Sequence, residues 1–278
     1  MLNFFRVLRF VLKSPARWTV LPRLRNRVWN LIFFYKVMAD REQAKIWARE
    51  NAQNFEDFLN KCDEALLKEL EDYRQVRNKR VEDCKIRFPD SIGSGYLSSG
   101  SHDELIFLAV RAVRPQLALE SGVAAGFSTF AILSGLEKNG MGHLYSSDSP
   151  YPTKKNSEMK IGMMVSEGLK TRWSLYIQGD KKNLSRIGKE ISGTIDFVHY
   201  DSGKSYSGRL RWWNTLQPLL KSEFIFIFDD IEDNTMFKNL VEQKKYKFFV
   251  IGYREKYLGI VMNNIDLEKF TEKFNYIR

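Results

Sequence analysis

The stretch Leu117–Ser128, LALESGVAAGFS, constrains the fold of this 278-residue chain more than any other. Leu117, Ala118 and Leu119 read as a buried strand, with Glu120 as a carboxylate at its C-terminal tip. Gly122, Ala124, Ala125 and Gly126 make a small-residue turn that leaves room for a ligand against the backbone. Ser128 and Thr129 stand where a helix begins. The first amides of a helix have no intrahelical partner and point toward such a ligand. In an open α/β sheet, ligands bind outside the carboxyl ends of the strands. Glu120, Ser121, Gly122, Gly126 and Ser128 are therefore the first candidate binding residues. The spacing is not the dinucleotide fingerprint G-x-G-x-x-G. An acid ahead of the first glycine suits a ligand with hydroxyls or an amino group near the turn.

Four more apolar runs end the same way: Gly142–Asp148, Trp173–Asp180, Ile195–Asp201 and Glu223–Asp230. Helix-compatible segments separate them, which predicts a mostly parallel sheet in an α/β domain. The terminal acids then line one sheet edge. Ser101–Val113 reads as the helix before the first of these strands.

The ordered motifs resemble those of class I S-adenosylmethionine-dependent methyltransferases. ESGVAAGFS is similar to their first motif, with Ala124 in place of its middle glycine. DSGKSY (Asp201–Tyr206), DDI (Asp229–Ile231) and IGMMVSEGLKTRW (Ile161–Trp173) resemble segments of a small-molecule O-methyltransferase-like branch. The resemblance covers roughly Gly93 to the C-terminus. It implies a Rossmann-like seven-stranded sheet, mostly parallel, closed by an antiparallel last strand. Lys247–Gly252 and Leu258–Met262 fit such a closing hairpin. It implies Asp148 on the ribose of S-adenosylmethionine, and Gly179 and Asp180 beside its adenine. Asp201 is a further candidate contact, at the cofactor's end. The histidine usual in the D-S-x-H segment is replaced by Lys204.

Methyl transfer needs an acceptor oxygen held in line with the methyl group and relieved of its proton. Asp201, Asp229 and Asp230 leave neighbouring strand tips, and three such carboxylates suit a Mg²⁺ or Mn²⁺ ion. This layout resembles the metal triad of catechol-type O-methyltransferases, in which a lysine at the position of Lys204 acts as base. Alternation along the strand puts His199 on the face of Asp201, a second catalytic candidate.

Residues 1–39 hold eight of the 44 Lys and Arg and no acid, leaving 36 basic against 34 acidic residues elsewhere. The near-neutral remainder argues against nucleic acid as substrate. Two apolar, basic runs, Met1–Lys13 and Val28–Met38, suit either an anionic membrane surface or packing on protein. Phe55, Leu59, Cys62, Leu66, Leu70 and Tyr73 recur at helical steps and predict one apolar stripe. The chain thus divides into a basic extension (1–39), a helical segment (40–92) and a methyltransferase-like domain (93–278). Cys62 and Cys84 lack metal spacing, and His102, His143 and His199 form no zinc signature. A reduced, cytoplasmic setting follows, at the inner membrane face if the extension binds lipid; a homo-oligomer is also open. The leading reading is an O-methyltransferase acting on a small-molecule or glycan-type hydroxyl. The competing readings are an inactive binding protein of the same fold and a dinucleotide or nucleotide-sugar enzyme.

Overall fold

Along the central strands, successive side chains enter two different cores, as the two-residue strand period requires. Ala118, Phe197, Ile225 and Ile227 face one core, and Leu119, Val198, Phe226 and Phe228 face the other. The computed structural model describes residues 40–60, 62, 64–89, 102–150, 157–191, 194–253 and 255–265. Both runs of the basic extension, with their membrane reading, lie outside the described residues.

Helix α1 (40–51) leads into strand β1 (Ala52–Asn54) and helices α2 (Phe55–Leu59), α3 (Glu64–Arg87) and α4 (Asp103–Val113). Strand β2 (Leu117–Ser121), helix α5 (Phe127–Asn139), strands β3 (His143–Ser147) and β4 (Trp173–Tyr176) and helix α6 (Asp180–Glu190) follow. Strand β5 (Ile195–Tyr200), helix α7 (Tyr206–Leu216), strand β6 (Leu220–Phe228), helix α8 (Met236–Lys244) and the hairpin β7 (Lys247–Tyr253) and β8 (Lys256–Asn263) complete the order. The sheet runs β1-β7-β8-β6-β5-β2-β3-β4, with β8 antiparallel to both neighbours and the other pairs parallel. This is a Rossmann-like sheet with the expected antiparallel last strand. Among the described residues the sheet has eight strands rather than seven, because Ala52–Asn54 pairs with Val250–Gly252.

Register decides where the site lies. Ser121 pairs with Ser147 and Tyr200, Ser147 with Tyr176, and Tyr200 with Phe228. The next residues, Gly122, Asp148, Asp201 and Asp229, therefore open on one edge.

The apolar stripe expected from Phe55 to Tyr73 does not lie on one helix. Strand β1 precedes α2, and α2 stops at Leu59, where Asn60 caps it. From Leu66 onward the stripe holds: Leu66, Leu70 and Tyr73 are buried. Tyr73 stacks on Phe107 at 4.6 Å and donates its hydroxyl to Asp103 at 2.7 Å. Around this core, Arg74 and Arg77 bind Glu104, and Arg111 binds Glu69. The stripe is thus spent on docking α3 against α4. Farther along α3, Arg80 donates to the carbonyls of Met163 and Met164, and the Cys84 thiol to that of Met163. Among the described residues, no helix is long and apolar enough to cross a membrane.

Candidate active site

The turn after β2 is built on a buried carboxylate. Glu120 is fully buried and accepts from Ser128 Oγ (2.6 Å), Thr129 Oγ1 (2.7 Å) and Ser146 Oγ (2.8 Å). Its place as a rim ligand is therefore corrected: it lies beneath the turn and fixes the start of α5, and the Ser128 hydroxyl points at Glu120. Gly122, at φ +89°, lies so close to the next strand tip that a Cβ would sit 2.0 Å from the Asp201 carbonyl oxygen. Gly126, at φ +91°, caps α5 and faces Gly162, whose Cα a Cβ would meet at 2.9 Å. The segment Gly162–Met164 is hydrogen-bonded to this turn, Gly162 N to Ala124 O and Met164 N to Ala125 O, both at 2.9 Å. It is the segment that α3 clasps. Ala124 sits at φ +46°, a left-handed conformation that glycine adopts without strain and alanine does not.

Asp148 follows β3. Its carboxylate accepts from the amides of Val123 (2.9 Å), Ala124 (2.7 Å) and Ser149 (2.6 Å). Burial raises its proton affinity, and these three amides work against that rise.

Gly179 caps α6, and Asp180 is its first residue. The Asp180 carboxylate accepts from Ser121 (3.3 Å), Ser147 (2.7 Å), Ser202 (2.9 Å) and Trp212 Nε1 (2.9 Å). Four donors fill the lone-pair sites of a carboxylate. Asn183, which the sequence did not single out, braces the same place by donating to Ser147 Oγ, Asp148 O and Tyr176 O. Neither it nor Trp212 belongs to a readable motif.

The acids after β5 and β6 do converge. Asp201, Asp229 and Asp230 each offer an oxygen within 4.8 Å of the others. Lys204 pairs with Asp201 and, at 2.7 Å, with Asp230; Lys256 pairs with Asp230 at 3.0 Å. Burial, and next the neighbouring Asp229, push Asp201 up to about 6. Burial also raises Asp230, but Lys204 and Lys256 outweigh it and bring Asp230 down to about 2. Burial pulls Lys204 down, yet Asp201, Asp229 and Asp230 together hold it well above the usual lysine range. This charge environment bears on Lys204 as a general base. A base must shed its proton near working pH, and the three acids hold this proton in place.

His199 does not reach the rim. It is 2 % exposed and pairs in register with Glu120; its Nδ1 lies 3.6 Å from the Glu120 carboxylate. It stays within electrostatic reach of Asp201 and Asp229 from behind the strand tip. A different histidine comes to the cluster. His102, just before α4, is buried and turns Nε2 toward Asp229 Oδ1 at 3.9 Å. Burial lowers its proton affinity more than Asp229 and Asp230 raise it. No local sequence signal marks this residue.

Residues 119–231 match a family model described as a methyltransferase domain. No curated protein sequence matches the chain. Similar solved structures include an O-methyltransferase from Bacillus cereus in complex with SAH, 15% identical over 59% of this chain and 82% of that one, with a TM-score of 0.48. The O-methyltransferase TomG from Streptomyces achromogenes, in complex with SAM, is 12% identical over 60% of this chain and 81% of that one, with a TM-score of 0.49. SAH-bound PaMTH1, a methyltransferase from Podospora anserina, is 17% identical over 82% of this chain and 96% of that one, with a TM-score of 0.48.

Proposed function

We propose that the region 119–231, which matches a methyltransferase-domain model, is of the class I, S-adenosylmethionine-dependent kind and carries out O-methyl transfer to a small-molecule or glycan-type hydroxyl. One observation carries the reading: the turn 122–126 and the cluster of Asp201, Asp229, Asp230 and Lys204 share one sheet edge. A cofactor laid on the turn would present its methyl group to the cluster. The ribose would take Asp148, competing with the turn amides for its oxygens. The adenine would lie by Gly179. Asp180, already filled by four donors, serves it by holding the strand tips in place.

In the transfer, an oxygen lone pair forms the new O–C bond. The S–C bond breaks with its electrons going to sulfur, and S-adenosylhomocysteine leaves. The hydroxyl proton must go to a neighbouring base. With no cation bound, Asp201 is suited to accept it, because a pKa of about 6 leaves it ionised at neutral pH yet close enough to neutral to take up a proton. Lys204, held protonated, would stabilise charge developing on the attacking oxygen. Asp201, Asp229 and Asp230 fit a hard divalent cation in donor type and convergence. Bound there, such an ion would supply Lewis acidity to the acceptor hydroxyl.

The test is calorimetry with S-adenosylmethionine, followed by transfer of a labelled methyl group to a panel of phenolic, aliphatic and glycan hydroxyls. Each assay is run with and without chelator. Cofactor binding with transfer to a hydroxyl supports the proposal. Cofactor binding with no transfer to any acceptor favours the binding-protein reading, which Ala124 and Lys204 motivate. Full activity in excess chelator leaves Asp201 and Lys204 as the whole machinery.

A further inference from the structure

Resting on the proposed cation site, we infer that His102 supplies a nitrogen ligand to it, giving a mixed nitrogen–oxygen centre that favours late first-row transition metals over Mg²⁺. The His102 side chain is 4 % exposed, and among the described residues its Nε2 has no hydrogen-bond partner. A buried polar atom left unpaired is costly, so the arrangement calls for a ligand. The ring is also held in place. The next residue, Asp103, is bound by the Tyr73 hydroxyl at 2.7 Å and by Arg77 at 3.3 Å, and Glu104 is bound by Arg74 and Arg77. On another side the ring meets Tyr253 edge-on, 6.2 Å between centroids. Swinging His102 out to water would disturb the packed α3–α4 contact.

The charge pattern singles out the same corner. Lys204 serves Asp201 and Asp230, and Lys256 serves Asp230. Among the described residues, Asp229 accepts only the amide of Asp230, at 3.0 Å, and pairs with no lysine. It is the acid that His102 faces. Two donors 3.9 Å apart fit one ion, since metal bonds of about 2.1 Å place ligand atoms roughly 3–4.2 Å from one another. Imidazole suits Ni²⁺, Zn²⁺ and Fe²⁺, whereas an all-oxygen set suits Mg²⁺ and Mn²⁺. His102 is thus the group that would shift the preference.

Calorimetric titration of the full-length protein with Ni²⁺ and with Mg²⁺ tests this on the wild type, His102→Gln and Asp229→Asn. His102→Gln should weaken Ni²⁺ by about tenfold or more and change Mg²⁺ by less than about threefold. Asp229→Asn should weaken both. Wild-type protein that binds neither metal overturns the cation site, and this inference with it. Binding of both metals with equal affinity in wild type and His102→Gln overturns the histidine's role alone. If His102→Gln does not fold, ¹⁵N-histidine NMR of the wild type gives the answer, because the chain has three histidines. Added Zn²⁺ should shift the His102 ring nitrogens and leave those of His143 in place. An unmoved His102 ring overturns the inference.

Discussion

The two halves of the acidic rim hold their carboxylates by different means. Toward β3 and β4, hydroxyl and indole donors do most of it: three hydroxyls on Glu120, with the His199 ring 3.6 Å away, and three hydroxyls with an indole on Asp180. Toward β5 and β6, the ammonium groups of Lys204 and Lys256 do it, and among the described residues Asp229 is left with one backbone amide. Hydroxyls packed in a sheet give a fixed framework. Lysine is a point charge on a flexible stem, which a substrate or an ion can displace. One residue type therefore serves as scaffold on one side and as chemistry on the other.

The largest effect should separate the halves by stability. Glu120→Ala leaves two buried hydroxyls, Thr129 and Ser146, and the half-buried Ser128 hydroxyl without their acceptor, and should cost about 3 kcal/mol or more in urea unfolding. Asp229→Ala removes a charge that pushes Asp201 up, and should stay within about 1 kcal/mol of wild type. Equal losses would break the comparison.

Next comes the pH dependence of turnover. Asp201, pushed up to about 6, is ionised above that pH and protonated below it, so turnover should fall as pH drops through about 6. Lys204 pulls Asp201 downward, so Lys204→Met should move this acid limb to higher pH. A limb that stays in place in the variant assigns it to another group. The smallest effect belongs to the turn. Ala124→Gly relieves a left-handed alanine and should gain about 1 kcal/mol in unfolding free energy. No gain would show that the turn stores no strain there.

Strand positions were legible because each central strand is an apolar run closed by an acid and separated from the next by a helix-compatible segment. The convergence of Asp201, Asp229 and Asp230 followed from strand adjacency. Other features depend on partners distant in sequence. Ala52–Asn54 is three residues without apolar alternation, and becomes a strand only by pairing with β7. In sequence Glu120 stands as a tip residue, but β2 runs on to Ser121, and register sets Glu120 against His199 inside the protein. The proton on Lys204 is held by acids from two strand ends, which spacing within DSGKSY does not reveal. His102 stands alone ahead of α4, and only the folded chain carries it to Asp229.

The most direct test of the divided rim is titration of S-adenosylhomocysteine into wild type, Asp148→Ala and Asp230→Ala, with no acceptor needed. The wild type should bind. Asp148→Ala should lose on the order of 1–3 kcal/mol of affinity, as for a lost charge-assisted hydrogen bond. Asp230→Ala should bind like the wild type. No binding by the wild type, or equal losses in the two variants, would contradict the account.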